Sequence, residues 1–312
     1  MQTGGAEAEQ HQHMGPSPVD EAGGATASAW AERAGGSLDD YLRQRQGAEN
    51  FPVALRVLPR KHRIHLAAIY DVARVIDDLG DEAPGDRVAL LTAFRDDLDV
   101  IWAGGQPNAP VLRRLAETVR ARTLSRQPFV DLIEANLRDQ TVTTYPTYDD
   151  LLSYCELSAN PIGRMVLEIF GASTPERIEL SDRVCTALQI IEHCQDVAED
   201  RQAGRIYLPL ADLERFGVVP NDLDSGTAAP RLRRLVEFEV QRAGDLLTEG
   251  SPLVGQLGGW ARLAVSGYVA GGRAALISLK RTNWDVMASC PKIRRLDVIQ
   301  QLTVVATRGR VG

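Results

Sequence analysis

From residue 59 to residue 306 the apolar residues return every three or four positions, and no stretch alternates apolar with polar residues strictly. A period of 3.6 lays one apolar stripe along a helix, whereas a strand needs a period of two. Pro or Gly stands at most points where the pattern restarts, as expected where helices begin and end. The spacing predicts helices over 59–81, 84–103, 109–125, 128–140, 147–170, 175–203, 209–216, 229–249, 256–282 and 291–306. The fold class is therefore all-α, a single-domain bundle of about ten helices. Aromatic residues make up only 5% of the chain, so Leu, Val, Ile and Ala must fill its core.

The first 36 residues do not share the pattern. They are rich in Gly, Ala and Gln and poor in aliphatics, and cannot bury enough apolar surface to offset their ordering entropy. They read as a disordered tail over 1–36, with the all-α domain over 37–312 and its first helix starting near Ser37 to Asp40. The formal charge is −7, with Lys and Arg scattered rather than striped, which argues against nucleic acid as a partner. Cys155, Cys185, Cys194 and Cys290 form no C-x-x-C pair, no secretory leader is read ahead of them, and reduced thiols in the cytoplasm are expected. No apolar run approaches the ~20 residues of a membrane span. His62 and His65 lack neighbouring Cys or acidic ligands and are not read as a zinc site.

One predicted helix carries an internal conflict. QIIEHCQDVAED, residues 189–200, has the apolar content of a core helix, yet it holds Glu192, Asp196, Glu199 and Asp200. At about 100° per residue, Asp196 and Asp200 fall within about 20° of Gln189, with Glu192 and His193 flanking them on opposite sides. Ile190, Ile191, Cys194, Val197 and Ala198 fill the other side. A narrow acidic stripe on an otherwise buried helix faces a cavity rather than bulk water. Glu199 lies off the stripe.

AIYDVARVIDDLGDE, residues 68–82, projects the same way. Tyr70, Arg74, Asp77 and Asp81 share a band of about 60°. Asp77 and Asp81 are i, i+4 neighbours, as are Asp196 and Asp200, and such pairs repel by a few tenths of a kcal/mol. A single D-x-x-x-D is ordinary on a solvated face. Two, each in apolar surroundings beside Arg or Gln, suggest a compensating cation. Mg²⁺ is bound by one or two carboxylates together with water and substrate phosphate. Two facing D-x-x-x-D helices would hold such ions against a diphosphate. Gly204-Arg205-Ile206-Tyr207 then offers a guanidinium suited to phosphate oxygens.

LPRKHRIHLAAIYDVARVIDDLGDE and LQIIEHCQDVAEDRQAGRIYLP resemble the two signatures of the squalene/phytoene synthases, and YCELSANPIGRM resembles that family's third helix. The resemblance covers residues 47–300. It implies the class I isoprenoid synthase fold and two to three Mg²⁺ ions around a prenyl diphosphate. ENFPVALRVLP and SANPIGR look like the hydroxysqualene synthase branch of bacterial hopanoid pathways. That branch implies presqualene diphosphate as the substrate, converted with water to hydroxysqualene and diphosphate without NAD(P)H. A separate oxidoreductase would then make squalene, so pathway enzymes are expected partners.

By the same resemblance Asp77, Asp81, Asp196 and Asp200 bind metal, with Asp78 and Glu82 supporting the first pair. Arg74 and Arg205 neutralise the diphosphate. Tyr70, Tyr154 and Tyr207 lie near the diphosphate or the developing cation. Gln189 is a pocket glutamine, and Phe51, Ala54 and Val166 line the prenyl cavity with Tyr268 as a further contact. Glu192 stands where the family commonly has Asn and is read as a fifth metal ligand. His193 stands where a phenylalanine-like residue is common. The alternatives are head-to-head condensation of two prenyl diphosphates, as in presqualene diphosphate or phytoene synthases, and a non-catalytic scaffold. The scaffold reading would be expected to lose acidic ligands that this chain keeps. Because substrate and product are lipids, peripheral contact at the inner membrane surface is expected, with Lys280-Arg281 and Lys292-x-Arg294-Arg295 as the candidate surfaces.

Overall fold

The computed structural model describes residues 58–308 of the 312-residue chain. The expected tail, the helix start at Ser37 to Asp40, and Phe51 and Ala54 lie outside the described residues. Among the described residues the elements are α1 (Arg60–Asp81), α2 (Arg87–Asp99), α3 (Pro110–Arg122), α4 (Gln127–Arg138), α5 (Tyr148–Ser158), α6 (Asn160–Ile169) and α7 (Pro175–Gln195). There follow α8 (Val197–Gln202), α9 (Leu210–Phe216), α10 (Pro220–Leu223), α11 (Pro230–Gly250), α12 (Leu253–Gln256), α13 (Gly259–Arg281) and α14 (Arg295–Arg308). An isolated parallel bridge between Thr144 and Ile206 is the only β pairing among them.

Most expected helices are present, and the departures have local causes. The second begins at Arg87 rather than at residue 84, because Pro84-Gly85 forms a turn with Gly85 at φ +90° and Asp86 then caps the helix through Ala89 N–H. The helix expected over 147–170 is two. Thr147 and Asp150 start α5 with a reciprocal capping box, and Pro161, which has no N–H to donate, opens α6 after a break at Ala159. The helix expected over 175–203 is also two, broken at Asp196 with φ −103° and ψ 16°. The short α10 and α12 have no counterpart in the periodicity.

The apolar residues form two cores. One joins α1, α2, α3, α4 and α6 through Val72, Ile76, Leu91, Leu112, Phe129 and Met165. The other joins α5, α7, α11 and α13 through Cys155, Ile190, Leu235, Val236, Val269 and Leu279. Removing a Leu or Ile from such a site costs about 2–5 kcal/mol, so each core is a rigid support for the polar face between them.

α1 and α4 approach closely at one point. A Cβ on Gly80 would run into the side chain of Asn136. Gly80 C=O also accepts a hydrogen bond from Gln140 Nε2 at 3.0 Å, and the same nitrogen donates to Asn136 C=O at 2.9 Å. A residue without a side chain thus lets the end of α4 lie against the acidic end of α1.

Candidate active site

A cavity of about 290 Å³ lies at the seam between the two cores. It is lined by Arg74, Asp77 and Asp81 from α1; Leu132 and Asn136 from α4, with Asp139 just past its end; Tyr154 and Ser158 from α5; and Gln189, Glu192, His193, Asp196, Asp200, Arg205 and Tyr207 from the stretch that runs from α7 through α8. The two acidic segments therefore face one space. Six carboxylates meet two guanidinium groups there.

On α1, Asp77 accepts a hydrogen bond from Asn136 Nδ2 at 3.3 Å. Burial pushes its carboxyl up to about 7. The Asn136 bond and Arg74 oppose that rise, while Asp81 and Asp78 add to it. Asp81 is ion-paired with Arg205 at 2.7 Å, so the first acidic segment is tied across the cavity to the loop after the second. Asp78 is buried and pairs with Arg74 at 2.8 Å, and Glu82 lies 3.6 Å from the same guanidinium. These two carboxylates hold Arg74 at the cavity wall.

Asp196 sits at the junction of α7 and α8, yet Asp200 N–H still donates to Asp196 C=O at 2.8 Å, so the one-turn spacing of the pair survives the break. Cys290 Sγ donates to Asp196 Oδ1 at 3.4 Å, and Gln195 Nε2 donates to Pro291 C=O at 3.0 Å. Burial, followed by Asp196 itself, pushes the Cys290 thiol up to about 12 and keeps it protonated. Burial also raises Asp196 above the usual carboxylate range, with the Cys290 bond opposing. Gly204 adopts φ +80° and Arg205 N–H then donates to Asp200 C=O at 2.8 Å, which turns the Arg205 side chain back toward α1.

An aromatic group forms one wall. His193 stacks on Tyr207 with ring centroids 3.8 Å apart, and Tyr154 and Tyr145 lie 5.5 and 5.6 Å from Tyr207. Gln189 Nε2 and His193 Nε2 are 3.2 Å apart. Tyr154 donates its hydroxyl proton to Asp139 Oδ2 at 2.6 Å. Burial raises both the Tyr154 and Tyr207 phenols well above the ordinary tyrosine value, so both stay neutral.

Other expected residues fall elsewhere. Tyr70 is half-buried on α1 and does not line the cavity: it shares the stripe of Asp77 but lies two turns away, about 10 Å along the axis. Tyr268, half-buried on α13, does not line it either, because that helix packs behind α7. Val166 is buried in the core around α1. Conversely, Asn136, Asp139, Leu132 and Ser158 line the cavity without having been singled out. Leu132, Asn136 and Asp139 recur at i, i+4 and i+7, so a polar stripe on α4 was readable, although it forms no motif.

Among the described residues no three His, Cys, Asp or Glu side chains close on a single point. The acids face one cavity from two sides instead. That donor set fits Mg²⁺ ions held by one or two carboxylates each and completed by substrate oxygens. Six carboxylates line the cavity against two guanidinium groups, so its side chains leave the cluster formally negative.

Residues 44–300 match the family model described as squalene/phytoene synthase. The hydroxysqualene synthase of Zymomonas mobilis is 36% identical over 209 residues, 65% of this chain and 69% of that protein. The phytoene synthase of Mycobacterium tuberculosis is 34% identical over 218 residues, 68% of this chain and 71% of that one. Among solved structures, squalene synthase HpnC from Alicyclobacillus acidocaldarius superposes with a TM-score of 0.72 at 39% identity, covering 78% of this chain and 94% of its own.

Proposed function

Because this chain belongs to the squalene/phytoene synthase family, we propose that it converts presqualene diphosphate and water to hydroxysqualene and diphosphate, with magnesium held at the acidic cavity. At the coarser level it is an enzyme of a family that acts on prenyl diphosphates. The observation that carries the finer reading is the meeting of both acidic segments with Arg74 and Arg205 on one cavity. Similarity to a hydroxysqualene synthase and to squalene synthase HpnC, together with the FPVA and SANPIGR stretches, supports the branch.

Asp77, Asp81, Asp196 and Asp200 would hold the magnesium, with Glu192 beside them. When bound, the metal supplies positive charge that stabilises the departing diphosphate. Arg74 and Arg205 add guanidinium donors to the same oxygens and favour ionisation over the ground state. The faces of Tyr154 and Tyr207 would offer electron-rich surfaces to the rearranging cation without taking a proton from its carbon skeleton. The flanking cores limit how much water reaches it. The reaction consumes water and no reductant.

A second reading, condensation of two prenyl diphosphates, is supported by the similarity to a phytoene synthase. One experiment separates the two. The protein is incubated with presqualene diphosphate and, separately, with farnesyl diphosphate, each with Mg²⁺ and without NADPH. Hydroxysqualene from presqualene diphosphate alone is the expected outcome. A condensed C30 product from farnesyl diphosphate favours the second reading, and no diphosphate release from presqualene diphosphate sinks the first. Peripheral membrane contact belongs to the same proposal. Leu296 is 77% and Ile299 59% exposed on α14, next to exposed Lys292, Arg294 and Arg295.

A further inference from the structure

The cavity contains a pair of groups that diphosphate ionisation does not use. Asp139 lies immediately past the C-terminus of α4, and Tyr154 projects from α5 beside it. A phenol has one proton to donate, and Tyr154 gives it to Asp139 Oδ2 at 2.6 Å. Toward the rest of the cavity the Tyr154 oxygen therefore offers lone pairs, one met by the Tyr207 hydroxyl and the other able to accept a hydrogen bond from water. The other oxygen of the carboxylate, Oδ1, is buried and has no hydrogen-bond partner among the described residues. A buried carboxylate ordinarily gathers several donors. This one has a single hydrogen-bond donor, on Oδ2, and its other oxygen is left open.

We propose that Tyr154 and Asp139 form a two-step proton relay that takes the proton from the water that captures the rearranged carbocation, with Asp139 as the terminal acceptor. The inference rests on the hydroxysqualene reading above. In the step itself, the water oxygen forms a bond to the cationic carbon and one water O–H bond breaks. That proton passes to the Tyr154 oxygen while the phenol's own proton passes to Asp139 Oδ2. The products are a neutral alcohol, a neutral phenol and a neutral carboxylic acid; nothing is oxidised or reduced. Asp139 returns the proton to solvent when the product leaves. The phenol carries no charge at any stage, consistent with burial holding Tyr154 far from ionisation. Burial also pushes the Asp139 carboxyl up to about 6, opposed by the Tyr154 bond and Arg205, with Asp81 adding to the rise.

The test uses the full chain with Mg²⁺ and presqualene diphosphate, and measures hydroxysqualene formed and diphosphate released in the same reaction. Ionisation precedes capture, so the ratio of the two isolates the capture step. In Asp139→Asn the ratio is expected to fall roughly a hundredfold, the lower end of the range for a positioned acid or base, with olefins and other alcohols taking the place of hydroxysqualene. Tyr154→Phe should lower the ratio in the same way, and Asp139→Glu should restore part of it. Circular dichroism and thermal melting identify a variant that fails to fold, in which case Tyr154→Phe decides. A ratio unchanged in folded Asp139→Asn, whether or not both quantities fall together, overturns the relay while leaving the function intact. Wild-type protein that releases diphosphate but makes no hydroxysqualene overturns both.

Discussion

Among the described residues, two groups of buried carboxylates are built in opposite ways. In the cavity, six carboxylates face two guanidinium groups. In the second, on the α9 and α11 side of α7, Asp212 and Glu239 share Arg242, whose Nη1 lies 2.8 Å from Asp212 and 3.2 Å from Glu239, and Arg215 adds a longer contact to Asp212 at 3.9 Å. The Arg242 guanidinium also stacks over Tyr148 and Phe238 at 4.4 and 4.1 Å. Glu239 is 1% exposed. The second cluster is sealed by aromatic rings and largely neutralised from within. The first is open and carries surplus negative charge. What separates a structural acid cluster from a ligand-binding one in this chain is the cation supply, since both contain buried carboxylates.

That contrast can be broken from either side, and the largest effect is expected in the cavity. Asp77→Ala or Asp196→Ala should lower diphosphate release on the order of a thousandfold, with helix content unchanged by circular dichroism; retained turnover in either variant would refute the metal assignment. In the sealed cluster, Arg242→Ala removes the close cation shared by two buried carboxylates and should cost about 3 kcal/mol of stability. Urea unfolding measures it, and turnover of the folded fraction should stay near wild type. A loss of activity at intact stability would mean that the two clusters are coupled. Next, Mg²⁺ at about a hundred times its Kd should stabilise the wild type by about 2.7 kcal/mol, and the shift in Tm should vanish in Asp77→Asn. A shift of equal size in that variant would place the metal elsewhere.

The pH dependence sharpens the comparison further. Burial pushes Glu239 up to about 7 from the ordinary 4.5, with Arg242 opposing and Asp212 adding. A carboxyl with a raised folded-state pKa contributes stability that is complete below its unfolded pKa and is lost as pH rises through the folded one. Part of the stability should therefore disappear between about pH 4.5 and about 7. Glu239→Gln should flatten that part in melts recorded across the window, and an identical slope would show that Glu239 is not its source. The smallest effect is expected at Glu192, which is solvent-exposed at the cavity edge. Glu192→Asn should shift the Mg²⁺ concentration for half-maximal turnover by no more than about tenfold, the low end for groups beside a metal site.

Much of this was legible in the sequence because it was local. The face shared by Arg74, Asp77 and Asp81 follows from helical period alone, and so does the stripe of Gln189, Asp196 and Asp200. The break at Asp196 was not legible, since no Pro or Gly marks it. Contacts that hold the region come from about 95 residues away in sequence, where Cys290 and Pro291 bond to Asp196 and Gln195. Asp139 escaped notice for a related reason: its significance lies in the hydroxyl of Tyr154, on another helix. The break at Ala159 is different, for Pro161 announced it and the apolar periodicity on either side concealed it. Tyr70 shows the converse limit. Sharing a stripe with Asp77 fixes the direction around the helix, but the seven-residue separation carries Tyr70 about 10 Å along the axis and beyond the cavity lining.

Gly80 gives the site a tolerance measured in single atoms. One added methyl there would displace the side chain of Asn136, and that side chain is the hydrogen-bond donor to Asp77. The smallest substitution available at this position would thus be transmitted straight to a carboxylate assigned to metal. No charge or chemical group would have changed at the cavity itself. The clearance between α1 and α4 works as a machined fit, in which an unfilled position sets the gauge of the site.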